Sequence, residues 1–244
     1  MSGLRLAVAS IKQHKTSSLL WLGFFIMSLF LSCSFINLNQ LTAKDQSALQ
    51  TKWRLIQQVE PEAQSSSLHQ ALTVTNRLEN FYATSFNLVL LGCGFFFFVL
   101  FLFWLRTRKS ELLGWYFFGL STKTIVKIIF LQLALPLGAA ILISLLLILF
   151  AQGTYNLLLS WGNNHIQTML GNFPSTLVIE SHSLTSEGLL PFDLHSFFQV
   201  NHSLDSATLL ETLGKAIVFH LMILVPVSSL VAFVYCRRLK NGGY

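Results

Sequence analysis

Charged residues are scarce in this sequence. Asp, Glu, Lys and Arg make up only 11% of its 244 residues, whereas soluble globular domains contain about 25%. Hydrophobic residues account for 53% of the chain. Because this composition leaves too few charged groups to cover a folded surface in water, it excludes an ordinary soluble domain and predicts a membrane protein.

Motifs that would indicate an enzyme are also missing. The chain contains no P-loop, no GxSxG sequence, no HExxH sequence and no pair of carboxylates within an apolar run. Ion-driven carriers usually carry ionisable groups inside their spans. We therefore expect a protein that is not an enzyme, an intramembrane protease or an ion-coupled carrier, and that binds no cofactor itself.

Cysteine is rare and lies in apolar surroundings. The three cysteines, Cys33, Cys93 and Cys236, fall inside or at the edge of apolar segments, and none belongs to a CxxC pair. A disulfide framework would place cysteines in the polar loops. These three are predicted to be small buried hydrophobic residues.

Four apolar runs are long enough to cross a bilayer as helices, which requires about 20 residues each. They comprise residues 17–38, 85–105, 128–151 and 216–236, with no Asp, Glu, Lys or Arg and with a single histidine, His220. The first run is too long for a signal peptide and lacks a cleavage site, so we expect it to remain as a span. The sequence thus predicts an all-α integral membrane protein with four transmembrane helices.

The distribution of Lys and Arg predicts the orientation of these helices. Residues 1–16, 106–127 and 237–244 together contain 11 of the 16 cations and a single acid, Glu111. Because positively charged flanks of spans face the cytosol, we expect both termini and the middle segment to be cytosolic, with an amphipathic helix over residues 1–16. This placement explains the net charge of +6 without a nucleic-acid partner, which would need a basic patch on a soluble domain.

Two extracytoplasmic loops complete the predicted topology. Residues 39–84 contain two stretches with apolar residues at helical spacing, which suggests short helices that extend the first two spans outward. Residues 152–215 are less regular, although residues 176–180 resemble a strand. The last helix is predicted to begin early, near Ser206.

Four histidines in the second outer loop raise the question of a metal site. His165, His182, His195 and His202 are separated by 17, 13 and 7 residues. Zinc ligands usually recur at closer local spacing. We therefore predict solvated or capping histidines and no metal site.

The segment between the second and third spans combines cations, one acid and aromatic rings. It reads RTRKSELLGWYFFGLSTKTIVK over residues 106–127. The rings of residues 115–118 suit a short helix at the membrane interface, and Gly119 would end it. A positively charged anchor with aromatic rings is the simplest interpretation, but it explains neither Glu111 nor the position of Gly119.

This segment resembles the FtsX-like permease family of ABC transporters, of the MacB and LolC type. In that family a basic cluster follows the second span, then a glutamate, and then a glycine eight residues later. Here the basic cluster is Arg106, Arg108 and Lys109, the acid is Glu111 and the glycine is Gly119. The order of four spans with both termini in the cytosol is similar as well.

The N-terminal sequence LRLAVASIKQHKTSSLLWLGFFI also resembles the opening of that family. The chain differs from the family pattern in its short first outer loop and its longer second one. It also has aromatic residues, Trp115 and Tyr116, where a basic residue often follows the glutamate.

The resemblance implies a coupling helix that docks on the ATPase of the transporter. The implied docking residues are Arg106, Arg108, Lys109, Glu111, Leu112, Leu113, Trp115, Phe118 and Gly119. It further implies a separate ABC-type ATPase subunit that binds ATP, a second copy of the chain or a paralogous permease, an extracytoplasmic partner, and location in the bacterial cytoplasmic membrane.

The function implied is that of a permease subunit. Such a subunit couples ATP hydrolysis to export or extraction of a peptide, lipid-linked or hydrophobic substrate, or to force transmission across the membrane. The alternative is a multi-pass membrane protein that transports nothing, such as an immunity, sensor or scaffold subunit. The spacing from Glu111 to Gly119 favours the first hypothesis, and the small outer loops favour the second.

Overall fold

The structure is a computed structural model that describes residues 9, 10, 12–59, 66–170, 204–240 and 242. All regular structure in these residues is helical, and they contain no strand. The helices are α1 (Lys15–Val59), α2 (Ser66–Thr107), α3 (Lys109–Phe117), α4 (Thr122–Phe150), α5 (Gln152–Leu170) and α6 (Ser206–Lys240).

Four of these helices, α1, α2, α4 and α6, are long and apolar enough to span a membrane. Within the described residues, this confirms the prediction of a helical fold with four helices able to span a membrane. The direction in which the helices cross the membrane stays a prediction.

The first two spanning helices are much longer than the apolar runs within them. α1 has 45 residues and α2 has 42, which corresponds to about 65 Å each at 1.5 Å per residue. A bilayer core is only about 30 Å thick. The helical stretches expected in the first outer loop are therefore continuations of α1 and α2, and residues 60–65 between them lie outside the described residues.

The chain forms two compact units. Unit 1 comprises Met1–Cys33, Asn87–Phe150 and Leu210–Tyr244, and unit 2 comprises Ser34–Phe86 and Ala151–Leu209. α1 and α2 each contribute residues to both units without a break in the helix.

Aromatic rings form the core of unit 1 between α1 and α2. The Trp21 ring lies 5.4 Å from the Phe97 ring, Phe97 stacks on Phe101 at 5.6 Å, and Phe101 stacks on Trp104 at 5.8 Å between centroids. Such aromatic pairs contribute about 0.5–1.5 kcal/mol each beyond the burial of their area. This column of rings fixes the two helices side by side.

Unit 2 contains a helix, α5, within a segment that was expected to be irregular. Residues 152–215 were predicted to form an irregular loop, but Tyr155, Leu159 and Asn163 are buried at positions four residues apart and form one face of a helix. Tyr155 accepts a hydrogen bond from the Asn37 side-chain amide at 2.8 Å, and the Tyr82 hydroxyl donates to Asn163 Oδ1 at 2.8 Å. Tertiary packing therefore overrides the weak helix propensity of this stretch.

The last helix, α6, begins within the predicted second outer loop. The Asp205 carboxylate accepts a hydrogen bond from the Thr208 hydroxyl, and the Asp205 carbonyl oxygen accepts from the Leu209 amide at 3.1 Å. The Thr208 hydroxyl lowers the pKa of this exposed carboxyl. The candidate strand over residues 176–180 lies outside the described residues.

Candidate functional site

The helix α3 follows α2 directly in the chain, and a glycine just beyond its C-terminal end terminates it. The amides of Phe118 and Gly119 donate to the carbonyl oxygens of Gly114 and Tyr116 at 3.0 and 2.9 Å. Gly119 has φ +76°, the left-handed region that only glycine enters without strain. The helix therefore ends before Gly119, and the next helix, α4, begins at Thr122.

One side of α3 packs against the other helices of unit 1. Leu112 is buried in the aromatic core, and Trp115 and Tyr116 are partly buried against it. The Tyr116 hydroxyl donates to the Cys236 carbonyl oxygen at 3.0 Å, near the end of α6. Burial raises the pKa of the Tyr116 phenol. These contacts attach α3 to the end of α6 as well as to α2.

Arg108, which connects α2 to α3, is buried. Its Nη1 atom donates hydrogen bonds to Ser10 Oγ at 2.9 Å and to Gln132 Oε1 at 2.8 Å. Its guanidinium lies 4.5 Å from the centre of the Trp104 ring, a cation–π contact. Burial lowers the pKa of Arg108 and the nearby Glu111 carboxylate opposes that shift, and a guanidinium remains charged in proteins.

Glu111, the lone acid of this region in the sequence, also faces inward. Its Oε1 atom accepts a hydrogen bond from Ser10 Oγ at 3.0 Å. Its Oε2 atom lies 3.8 Å from Arg108 Nη1 and 3.5 Å from His14 Nε2. We refer to the set formed by Ser10, His14, Trp104, Arg108, Glu111 and Gln132 as the Arg108–Glu111 cluster. It connects the N-terminal segment, the end of α2, α3 and α4.

The opposite side of α3 is open. Phe117 and Phe118 are 88% and 86% exposed, values that place nearly the whole of each ring outside the protein. Arg106, Ser110 and Gly119 are exposed too. Phe117, the last residue of α3, and Phe118, the next residue, form an exposed apolar projection.

The nine residues expected to dock on an ATPase do not all face outward. Some belong to the packed inner side of α3 and the others are exposed or partly exposed. Arg108 and Leu112 are buried and Glu111 is engaged within the chain, so in this structure these three support α3 from inside. The exposed or partly exposed members are Arg106, Lys109, Leu113, Trp115, Phe118 and Gly119.

Sequence reasoning missed three residues that matter at this site. Phe117 carries the largest exposed apolar surface of α3, although it was not among the nine predicted docking residues. Gln132 was detectable as an amide inside the third apolar run, where polar side chains usually have a specific partner. Ser10 carried no signal, because a serine in a polar N-terminal segment is ordinary.

A second polar contact lies among the spanning helices of unit 1. Ser28 Oγ of α1 is 2.5 Å from His220 Nε2 of α6, and His220 Nδ1 is 2.8 Å from the Ala216 carbonyl oxygen. Because a carbonyl can only accept, Nδ1 carries the proton and Nε2 accepts from the Ser28 hydroxyl. His220, the single histidine of the four apolar runs, therefore links α1 to α6.

The histidines considered as metal ligands are only partly covered by the structure. The His165 ring stacks on the Trp161 ring at 5.8 Å. His182, His195 and His202 lie outside the described residues. Where the chain is described, no group of three His, Cys, Asp or Glu side chains is arranged to hold a metal ion, so the nature of the loop histidines stays a prediction.

None of the three cysteines forms a disulfide. Cys33 and Cys236 are buried and Cys93 is partly buried. Cys33 Sγ lies 3.7 Å from the Thr212 hydroxyl oxygen, a contact between α1 and α6 within unit 1. The packing of these side chains among apolar helices fits the role of small hydrophobic residues.

Comparison of the chain with family models, with curated proteins and with solved structures finds no match. The resemblance to FtsX-like permeases stays a prediction.

Proposed function

We propose that this chain is the membrane subunit of an ATP-driven transporter of the FtsX-like type, with α3 as the element that contacts a separate ATPase. The single observation that carries the proposal is the two-sided construction of α3. Its inner side is bonded into unit 1 through the Arg108–Glu111 cluster, and its tip presents two exposed phenylalanines.

The inner side of α3 makes the helix a rigid part of unit 1. Removing one partner of a buried, hydrogen-bonded charge costs about 3–5 kcal/mol, because the other charge is left unpaired. Arg108 is held by Ser10, Gln132, Trp104 and Glu111 at once. A force applied to α3 therefore moves α2, α4 and the N-terminal segment together rather than bending α3 away from them.

The outer side of α3 suits a partner with an apolar groove. Burial of a phenylalanine side chain contributes about 1.5–3 kcal/mol, so Phe117 and Phe118 together can anchor a complex. Leu113, four residues before Phe117, is half-buried, and Lys109 at the start of α3 supplies positive charge. We assign docking to these residues, and we assign Arg108, Glu111 and Leu112 to the support of α3.

A spanning helix lies directly next to α3 in the chain. α2 ends at Thr107, one residue before Arg108, so a displacement of α3 acts on the end of this helix. In the proposed function, ATP hydrolysis in this way drives export or extraction of a peptide, lipid-linked or hydrophobic substrate, or force transmission across the membrane.

The remaining parts of the proposal follow from the same interpretation. Two copies of the chain, or this chain and a paralogous permease, form the transporter in the bacterial cytoplasmic membrane. α3 and both termini face the cytosol, where the ATPase binds ATP. An extracytoplasmic partner contacts unit 2.

Co-purification with an ATPase tests the proposal. A Walker-type ATPase encoded beside the gene for this chain, co-expressed with it, is expected to remain bound through detergent extraction and gel filtration. The double variant Phe117→Ser/Phe118→Ser should lose that ATPase. Phe150→Ser is the matched control, because Phe150 ends α4 and is 87% exposed, as much as the two rings of α3.

Two results would contradict the proposal. One is a wild-type chain that purifies without any ATPase under conditions in which it is folded. The other is retention of the ATPase by the double variant at the level of Phe150→Ser. The first result favours the alternative, a multi-pass sensor, immunity or scaffold protein.

A further inference from the structure

Segments rich in Lys and Arg meet at one end of unit 1. A 3.0 Å hydrogen bond between Ser10 and Glu111 joins the N-terminal segment to α3. The 3.0 Å hydrogen bond from Tyr116 to the Cys236 carbonyl oxygen joins α3 to the last turns of α6. Since α3 also lies between α2 and α4 in the chain, the cations of all these segments lie at the same end.

The cations at this end are largely exposed and have few acids around them. The exposed ones are Lys12, Lys15, Arg106, Lys123, Lys127, Arg237, Arg238 and Lys240. The acid of this end, Glu111, is engaged with Ser10, His14 and Arg108. Among the residues that the structure describes, none of the exposed cations has a carboxylate at ion-pair distance. This end therefore presents uncompensated positive charge.

Two of these cations continue the exposed apolar side of a spanning helix. In α1, Lys15 lies four residues before Leu19, which is 70% exposed. In α2, Arg106 lies three residues after Phe103, which is 66% exposed. Residues three or four apart share a helical face, so each cation lies one turn beyond a side chain that contacts lipid tails in a bilayer.

The end of α6 repeats this arrangement twice. Arg237 lies four residues after Phe233, and Arg238 lies four residues after Val234; both apolar side chains are exposed. Long cationic side chains at such positions extend along apolar surface and place their charge at the level of the headgroups. In a bilayer whose tails cover these apolar side chains, the cations of three spanning helices would lie at the depth of the lipid phosphates.

We infer that Lys15, Arg106, Arg237 and Arg238 form a binding surface for anionic phospholipid headgroups, which we call the headgroup surface. Arginine donates two parallel hydrogen bonds to a phosphate, and lysine supplies a point charge. A zwitterionic headgroup brings its own cation, which the uncompensated charge of this end repels. An anionic headgroup brings none, so the surface discriminates between the two classes of lipid.

The position of these cations favours lipid over an acidic protein. A soluble partner reaches the projecting tip of α3, where Phe117 and Phe118 are exposed. The side chains of the headgroup surface instead follow apolar side chains that require lipid tails beside them. This inference does not depend on the ATPase or on the direction in which the chain crosses the membrane.

Lipid binding to the purified chain tests the inference. Native mass spectrometry in detergent would count molecules of dioleoylphosphatidylglycerol or dioleoylphosphatidylcholine bound per chain during a titration. The wild-type chain should bind phosphatidylglycerol more tightly. Since one cation near an anionic surface contributes roughly fivefold in affinity, the variant Lys15→Gln/Arg106→Gln/Arg237→Gln/Arg238→Gln should bind it at least about tenfold more weakly.

Two matched variants separate headgroup binding from other effects. Arg106→Lys/Arg237→Lys/Arg238→Lys keeps the charge and should retain most of the preference for phosphatidylglycerol. Arg54→Gln/Arg77→Gln removes two exposed cations of unit 2 and should leave lipid binding unchanged. Higher salt should weaken phosphatidylglycerol binding to the wild-type chain, a result that needs no variant and therefore no assumption about folding.

Equal binding of the two lipids by the wild-type chain would overturn the inference, as would unchanged phosphatidylglycerol binding by the fourfold Gln variant. If that variant instead keeps its lipid and loses an acidic protein partner, the surface serves protein docking and the inference is wrong.

Discussion

Arg108 of the α2–α3 connection donates a 2.8 Å hydrogen bond to Gln132 of α4, and both side chains are buried. This contact brings together the cytosolic segment predicted from the sequence and a polar residue inside a spanning helix. Burying a charged or an amide group in apolar surroundings costs free energy when the group has no hydrogen-bond partner. The hydrogen bond between the two side chains reduces this cost for both. The pair is therefore central to how α3 is fixed to unit 1.

Loss of the amide should destabilise unit 1. In Gln132→Leu the apolar volume is retained, but the Arg108 guanidinium loses an acceptor, and an unsatisfied buried group costs about 1–3 kcal/mol or more when charged. Thermal unfolding in detergent should show a lower midpoint. Gln46→Leu is the control, because the Gln46 side chain bonds Asn76 at an exposed site and its loss should change the midpoint little. Equal shifts in the two variants would contradict a supporting role for Gln132.

Reversing the charge at position 111 should lower the stability of the protein more than removing it. Glu111→Gln keeps an acceptor for Ser10 and removes the attraction to Arg108, 3.8 Å away. Glu111→Lys places a second cation beside a buried guanidinium and should be clearly more destabilising. We expect the midpoint of thermal unfolding to fall in the order wild type, Gln, Lys, with ATPase stimulation falling in parallel. An unchanged Lys variant would show that the cluster does not hold α3.

Alanine substitution of Gly119 and of Gly114 should change the free energy of unfolding in opposite directions. Gly119 has φ +76°, where a side chain is strained, so Gly119→Ala should cost about 1–2 kcal/mol. Gly114 lies inside the helix, and apart from its chain neighbours and the backbone of its own helix, nothing lies within 4 Å of the place that an alanine methyl group would occupy. Gly114→Ala should therefore stabilise the helix by up to about 1 kcal/mol. Chemical unfolding monitored by tryptophan fluorescence measures both, and the same sign for both variants would contradict the assigned end of α3.

The contact between Ser28 and His220 should couple α1 to α6. In a double-mutant cycle with Ser28→Ala and His220→Leu, the interaction energy should be about 0.6 kcal/mol, the mean for hydrogen bonds between membrane helices, and at most about 1.7 kcal/mol. Unfolding of the two single variants and the double variant in mixed micelles supplies the cycle. Strict additivity of the two substitutions would show that the hydrogen bond contributes nothing to stability.

The architecture was largely predictable because long apolar runs have few alternatives in a membrane. Residues 85–105 and 216–236 each lie inside a spanning helix. The lengths of α1 and α2 were harder to predict, since the polar residues beyond the apolar runs are compatible with loops, short helices or one continuous helix. α5 was missed for a related reason: its helix depends on packing of Tyr155 and Leu159, which the local sequence does not reveal.

The location of the candidate site was predictable, but the direction of its side chains was not. Glu111 and Gly119 stood out by their type and spacing, and Gly119 does end α3. Nothing in the sequence indicates that Arg108 and Glu111 face inward while Phe117 faces outward. That division depends on Ser10 and Gln132, which lie 98 and 24 residues away from Arg108 in the chain.

Photo-crosslinking from the tip of α3 tests the central claim most directly. With p-benzoylphenylalanine in place of Phe118, irradiation of membranes should attach this chain to a Walker-type ATPase, identified by mass spectrometry. The same group in place of Phe150, which is equally exposed, should give no such adduct. An adduct with the ATPase from position 118 alone is the predicted result; adducts with lipid only, or equal ATPase adducts from both positions, would contradict it.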